Sequence, residues 1–111
     1  MKLEDYFKID GTYELVDGLY NVDGNVILNK QVEKLPFKFG TVSGSFRCTH
    51  KYLTSLEGSP NWVGGYYDFS DNYIKSLYRC PNYIGSNFFC DEKLHNTKEY
   101  RQHMIMKELR Q

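Results

Sequence analysis

The 111-residue sequence has no charge of either sign to spare: 14 Lys and Arg are matched by 14 Asp and Glu. It lacks the basic stripe that tracks a phosphate backbone, so a nucleic-acid partner is not expected, although Tyr-rich surfaces can stack bases. No apolar run approaches the roughly 20 residues that cross a bilayer. The opening MKLEDYFKID scatters charge where a secretory leader needs an apolar segment. Neither membrane insertion nor export is expected. Cys48, Cys80 and Cys90 form an odd set without CxxC spacing, which reads as reduced thiols in a cytoplasmic setting.

Motifs of catalysis are missing too. There is no HExxH and no paired CxxC, and NVDGN and KIDGT hold too few carboxylates for a calcium loop. VSGSF and WVGGYY fit neither GxGxxG nor GxxxxGK[ST]. His50 and His95 fall after nonadjacent strands of the pattern described below. Cys80 has no acid–base partner near it in sequence, and no register fixes a second acid beside Asp68. No catalytic residue, metal ligand or cofactor is assigned, and an enzyme is not expected.

What the sequence does contain is a repeat. Val22, Val42, Val63 and Ile84 open segments spaced by 20, 21 and 21 residues, and Gly24, Gly44, Gly65 and Ser86 stand two positions later. Val26, Phe46, Tyr67 and Phe88 fill the next apolar slot; Leu28, Cys48, Phe69 and Cys90 fill the one after. Alternation at period two over so short a run is a strand with one buried face. Val32, Leu53, Ile74 and Leu94 follow, with Leu35, Leu56 and Leu77 in three units. Pro60 and Pro81 share one point of the period, and Pro36 follows Leu35; lacking an amide donor, they suit chain reversals outside a ladder. The period is too short for a crossover helix, so the units stack as rungs and bury together what none buries alone.

The stretch YYDFSDNYIKSLYRCPNYI resembles the leucine-rich repeat. LTSLEGSPNWVGGYYDFSDN is similar to the divergent repeats of small proteins from large tailed bacteriophages. The resemblance covers about residues 22–95. It implies a parallel-strand solenoid in which Asn72 bonds loop backbone. Equivalent positions hold His50 or Lys51 and Glu92 or Lys93, so no asparagine ladder is expected.

The fold class is therefore mainly β with a C-terminal helix: a short parallel-strand solenoid of about four rungs. Residues 1–21 are expected to form a capping strand or hairpin with turns at Asp17-Gly18 and Asp23-Gly24, and residues 22–95 the solenoid. Residues 96–111 are expected to form a capping helix started by Asn96 or Thr97, with Tyr100, Met104, Ile105 and Leu109 near one face. The alternative for that face is to dock a partner or a second copy.

Cys48 and Cys90 lie two rungs apart, about 9–10 Å, too far for a disulfide. The outward columns are Asn25, Ser45, Tyr66, Asn87; Ile27, Arg47, Asp68, Phe89; and Asn29, Thr49, Ser70, Asp91. Arg47 and Asp68 are expected to be cross-strand neighbours able to pair. With Tyr66, Phe89 and Asn87 they make the candidate protein-binding face, since aromatics beside Arg and Asp are ingredients of binding hot spots. Trp62 and Tyr83 occupy equivalent corners and are expected to pack between turns, with a second interface, joined by Met104, as the alternative.

The functional expectation is a protein-binding module. The phage resemblance implies a modulator or inhibitor of a host protein or defence component, acting in the host cytoplasm on a bacterial or phage partner. The alternative is a structural or self-assembling phage accessory protein, hence a homo-oligomer.

Overall fold

The computed structural model describes residues 2–110. A 3₁₀ turn, Leu3–Asp5, leads into two ten-residue antiparallel strands, β1 (Phe7–Val16) and β2 (Leu19–Leu28). They join at Asp17-Gly18, whose φ values of +53° and +81° suit a two-residue hairpin turn. The second expected turn is corrected: Asp23-Gly24 lies inside β2, where Gly24 faces Gly11 across the hairpin. Both glycines hold φ near the far edge of the left-handed side (+143° and +139°). A Cβ on either would overlap the backbone of the opposite strand, so the glycine pair allows the two chains to pass this point together.

β2 heads two parallel ladders. Its first half carries β3 (Phe39–Val42), then β5 (Trp62–Val63), then β7 (Tyr83–Ile84). Its second half carries β4 (Phe46–Arg47), β6 (Tyr67–Asp68) and β8 (Phe88–Phe89). Each later rung is thus two short strands separated by a corner at Gly44, Gly65 or Ser86. Four stacked rungs are linked by three returns of the chain. The mainly β, leucine-rich-repeat-like parallel solenoid read from the sequence is the fold observed, and the hairpin's second arm is itself the first rung.

The inward columns follow the period-two reading. Val22, Val42, Val63 and Ile84 are buried, as are Val26, Phe46, Tyr67 and Phe88 behind the corner. Leu28, Cys48 and Phe69 are buried, while Cys90 at the open end of that column is half-buried. Leu53, Ile74 and Leu94, with Leu35, Leu56 and Leu77, close the core from the return side. Burying each such side chain contributes about 1.5–3 kcal/mol before conformational entropy is charged against it.

The returns have little regular structure, so their backbone groups need other partners. Asn72 supplies several. Its Oδ1 accepts from the amides of Lys51 and Leu53 at 2.9 and 3.0 Å, and its Nδ2 donates to the carbonyls of Cys48 and Phe69 at 2.6 and 2.8 Å. One buried amide side chain thereby ties the third rung to the return of the second. The loop-bonding role implied by the repeat resemblance is present, and it falls to Asn72 alone among its equivalents, Lys51 and Lys93.

A second 3₁₀ turn, Glu92–Leu94, precedes the helix α1 (Lys98–Arg110). Thr97 caps it, accepting from the Tyr100 amide at 3.3 Å and donating to the Leu94 carbonyl at 2.7 Å. The expected helix face divides in two. Tyr100, His103, Met104 and Lys107, at i, i+3, i+4 and i+7, turn toward the last rung. Ile105, Met106 and Leu109 are exposed on the other side.

Gly58 and Arg79 occupy the same point of successive returns, at φ +92° and +75°. Arginine holds a conformation there that glycine adopts freely.

Two outcomes follow. Asn72→Ala strands buried amides and carbonyls and is expected to lower unfolding stability by about 3 kcal/mol, read from a urea midpoint. Arg79→Gly is expected to raise stability by up to about 1 kcal/mol, the relief of left-handed strain exceeding the added freedom of the unfolded chain; an unchanged or lower midpoint contradicts this.

Candidate functional site

The face predicted for binding is assembled by β4, β6, β8 and α1. Register pairs Arg47 with Asp68 and Asp68 with Phe89, so these side chains form one outward column. Arg47 and Asp68 are the cross-strand neighbours expected, but no ion pair joins them. Asp68 instead accepts from the amide and hydroxyl of Ser70, at 3.1 and 2.8 Å, a local bond that costs less side-chain entropy than reaching a long guanidinium. Arg47 stays exposed.

In the neighbouring column, Asn25 accepts from the Ser45 amide at 2.8 Å, and Ser45 accepts from the Tyr66 amide at 3.0 Å. Tyr66 does not extend this series. Its ring leans diagonally onto Phe89, with centroids 5.9 Å apart at 74°, an edge-to-face pair. Phe89 remains 43% exposed. The helix covers its neighbour Phe88, through Tyr100 and His103 at 5.6 and 5.1 Å, and leaves Phe89 open. Asn87 accepts a 2.6 Å bond from the Lys107 ammonium, so this residue of the predicted face is engaged from within the chain. Asp68, Asn87, Phe89, His95 and Lys107 line a shallow concavity of about 360 Å³.

Trp62 and Tyr83 stack at 5.2 Å with 11° between ring planes, packing successive turns together as expected. Tyr52 and Tyr73 do the same at 5.8 Å and 19°. Their spacing of 21 residues is the repeat period, a signal present in the sequence and missed. Met104, named for a second interface as the alternative reading, is partly buried and packs against the core. The exposed apolar residues of the helix are Ile105, Met106 and Leu109, because the i, i+3, i+4 stripe through Tyr100 takes Met104 inward.

A larger groove, about 530 Å³, runs between α1 and the last return, lined by Tyr78, Arg79, Cys80, His103 and Met106 among others. At its floor the Cys80 sulfur lies 3.7 Å from Nε2 of His103. Sequence reasoning found no partner for Cys80 because the imidazole arrives from 23 positions away, on a helix whose docking is a tertiary event. Burial, with a smaller contribution from Glu99, pushes the Cys80 thiol up to about 11. Burial likewise pushes Cys90 up to about 12 and holds Cys48 protonated at still higher pH. All three cysteines are free thiols. The pair is thus a neutral thiol against an imidazole, not a thiolate nucleophile.

Among the described residues, no group of three or more His, Cys, Asp or Glu is arranged to hold a metal ion. No helix among the described residues is long and apolar enough to cross a membrane. No protein-family model matches the chain, and neither the curated proteins nor the solved structures provide a match.

The thiols give a pH test. Above about pH 9 the unfolded chain releases thiol protons that the folded chain keeps, so stability is expected to fall as pH rises from there toward 11. In alkylation with iodoacetamide, folded-state Cys80 is expected to react about 100-fold more slowly than a free peptide thiol at pH 8, with Cys48 protected until unfolding. Rapid alkylation of Cys80 at neutral pH contradicts its placement.

Proposed function

We propose that this protein is a non-enzymatic protein-binding module that works through the outward face formed by Arg47, Tyr66, Asp68 and Phe89. A parallel solenoid generically suits protein–protein interaction, because it presents side chains at fixed spacing on a rigid sheet. The observation that carries the choice of face is the Tyr66–Phe89 pair. The half-buried Tyr66 and the 43% exposed Phe89 lie beside the Asp68 carboxylate. The exposed Arg47 guanidinium is one rung further along the column, and the Lys107 end of the helix walls the other side. Rigid aromatics lose little side-chain entropy on binding and dominate interface energetics, while flanking charges select the partner.

The similarity of LTSLEGSPNWVGGYYDFSDN to phage repeats supports a finer reading. In it, the partner is a bacterial protein of the infected cytoplasm, a host enzyme or defence component that the module modulates or inhibits.

The test is affinity capture from bacterial lysate followed by mass spectrometry, with wild type beside a Tyr66→Ala/Asp68→Lys double variant of unchanged circular dichroism. A protein retained by the wild type is expected to bind the variant at least about 30-fold more weakly, since hot-spot truncation costs about 2 kcal/mol or more. Equal retention rejects this face.

A further inference from the structure

The two ends of the sheet are finished differently. At the C-terminal end the last strands, β7 and β8, are two residues long, and α1 packs over Phe88. At the N-terminal end lies β1, ten residues long, which pairs with β2 alone. Its seven residues from Asp10 to Val16 are all exposed. They include Tyr13, Leu15 and Val16, at 41%, 57% and 43%. No backbone group on the outer edge of β1 between Phe7 and Val16 bonds another segment among the described residues. An edge of this length, about 33 Å, is a template for another strand.

The sequence of that edge is complementary to itself. Two copies related by a two-fold axis normal to the sheet pair residues of equal parity in antiparallel register. With Gly11 on the axis, Lys8 lies opposite Glu14 of the second copy, Asp10 opposite Thr12, Ile9 opposite Tyr13, and Phe7 opposite Leu15. Symmetry makes the Lys8–Glu14 pair occur twice, and the exposed Tyr13 gains the half-buried Ile9 as an apolar neighbour. Sliding the register two residues one way sets Asp10 against Asp10. Sliding it the other way sets Asp10 against Glu14 at both ends. Like charges therefore exclude the adjacent registers. The Gly11 register also sets the φ +139° irregularity of one edge against that of the other.

We propose that a second copy of this chain docks on β1, forming an antiparallel β1–β1 pair centred on Gly11 and a sheet continuous through both solenoids. Each copy keeps its own Arg47–Asp68–Phe89 column on the same side of that sheet. The dimer thus presents two binding faces, and the inference stands whether or not those faces bind the partner proposed above.

Sedimentation equilibrium of the intact chain tests it, with Lys8→Glu, Glu14→Lys and the double exchange compared at low salt. The wild type is expected to dimerise. Each single exchange sets like charges opposite at two symmetric sites and is expected to weaken the dimer about tenfold or more. The double exchange restores both pairs in reversed order and is expected to return the affinity to within about threefold of wild type. Circular dichroism on each variant reports folding. A wild type that stays monomeric at several hundred micromolar overturns the proposal. So do single variants that dimerise as tightly as wild type, a double variant no tighter than the singles, or a dimer abolished by Leu109→Glu, which would place the contact on the helix.

Discussion

The structure depends on how closely successive corners can stack. Parallel strands sit about 4.8 Å apart, and at each corner one rung's backbone lies directly against the next. The Gly44 amide donates to the Gly24 carbonyl at 2.8 Å, Gly65 to Gly44 at 2.8 Å, and Ser86 to Gly65 at 3.0 Å. A Cβ at Gly44 or Gly65 would overlap the rung beneath. With the corner fixed, the strands on either side of it diverge at a set angle. That angle turns both flanking apolar residues, Val42 with Phe46 and Val63 with Tyr67, into one narrow core. The aromatic column Phe46, Tyr67, Phe88 is a consequence of corner geometry as much as of hydrophobicity.

Within that frame, rungs three and four solve one packing problem in two ways. Tyr67 is buried with its hydroxyl 2.6 Å from Ser59, and burial holds the phenol protonated. One period later the same two positions hold Phe88 and Cys80. A polar pair has been exchanged for an apolar one, and neither arrangement strands a buried hydroxyl. The exchange also leaves Phe88 without a polar tip, so the apolar edge of its ring can pack against Tyr100 and His103 of the helix. Capping of the last rung is therefore written into the repeat itself.

The stacked architecture was legible because its signals are local and periodic. Alternation gave the inward columns, the recurring glycines gave the corners, and Asp17-Gly18 gave the hairpin turn. Asp23-Gly24 misled because turn chemistry and corner chemistry use the same residue; only the facing Gly11, 13 positions away, distinguishes them. The helix was legible as an element, with Thr97 as its cap, but not in its rotation. Two apolar stripes compete for the core, Tyr100 with Met104 and Ile105 with Leu109, and the shape of the last rung decides between them. The candidate face was legible as columns of residues. Its details, Tyr66 on Phe89, Lys107 on Asn87 and Asp68 turned to Ser70, depend on side-chain choices that no period encodes.

Those details share a location. Asn25 and Ser45 spend their side chains on the backbone of the next rung, and their positions are fixed by that duty. The series stops at Tyr66, which has no such bond to make and turns outward. Near it the repeat departs from its pattern again: Phe89 extends an outward column otherwise polar after Ile27, and Arg79 stands at a positive φ where the preceding return has glycine. Positions required for stacking cannot vary without loss of the solenoid, so chemistry specific to this protein has to occupy positions that stacking leaves free. The irregular third and fourth rungs, next to the helix, are where that freedom lies. The regular interior beneath them keeps the aromatic pair at a fixed height and angle, which is what a recognition surface requires of its scaffold.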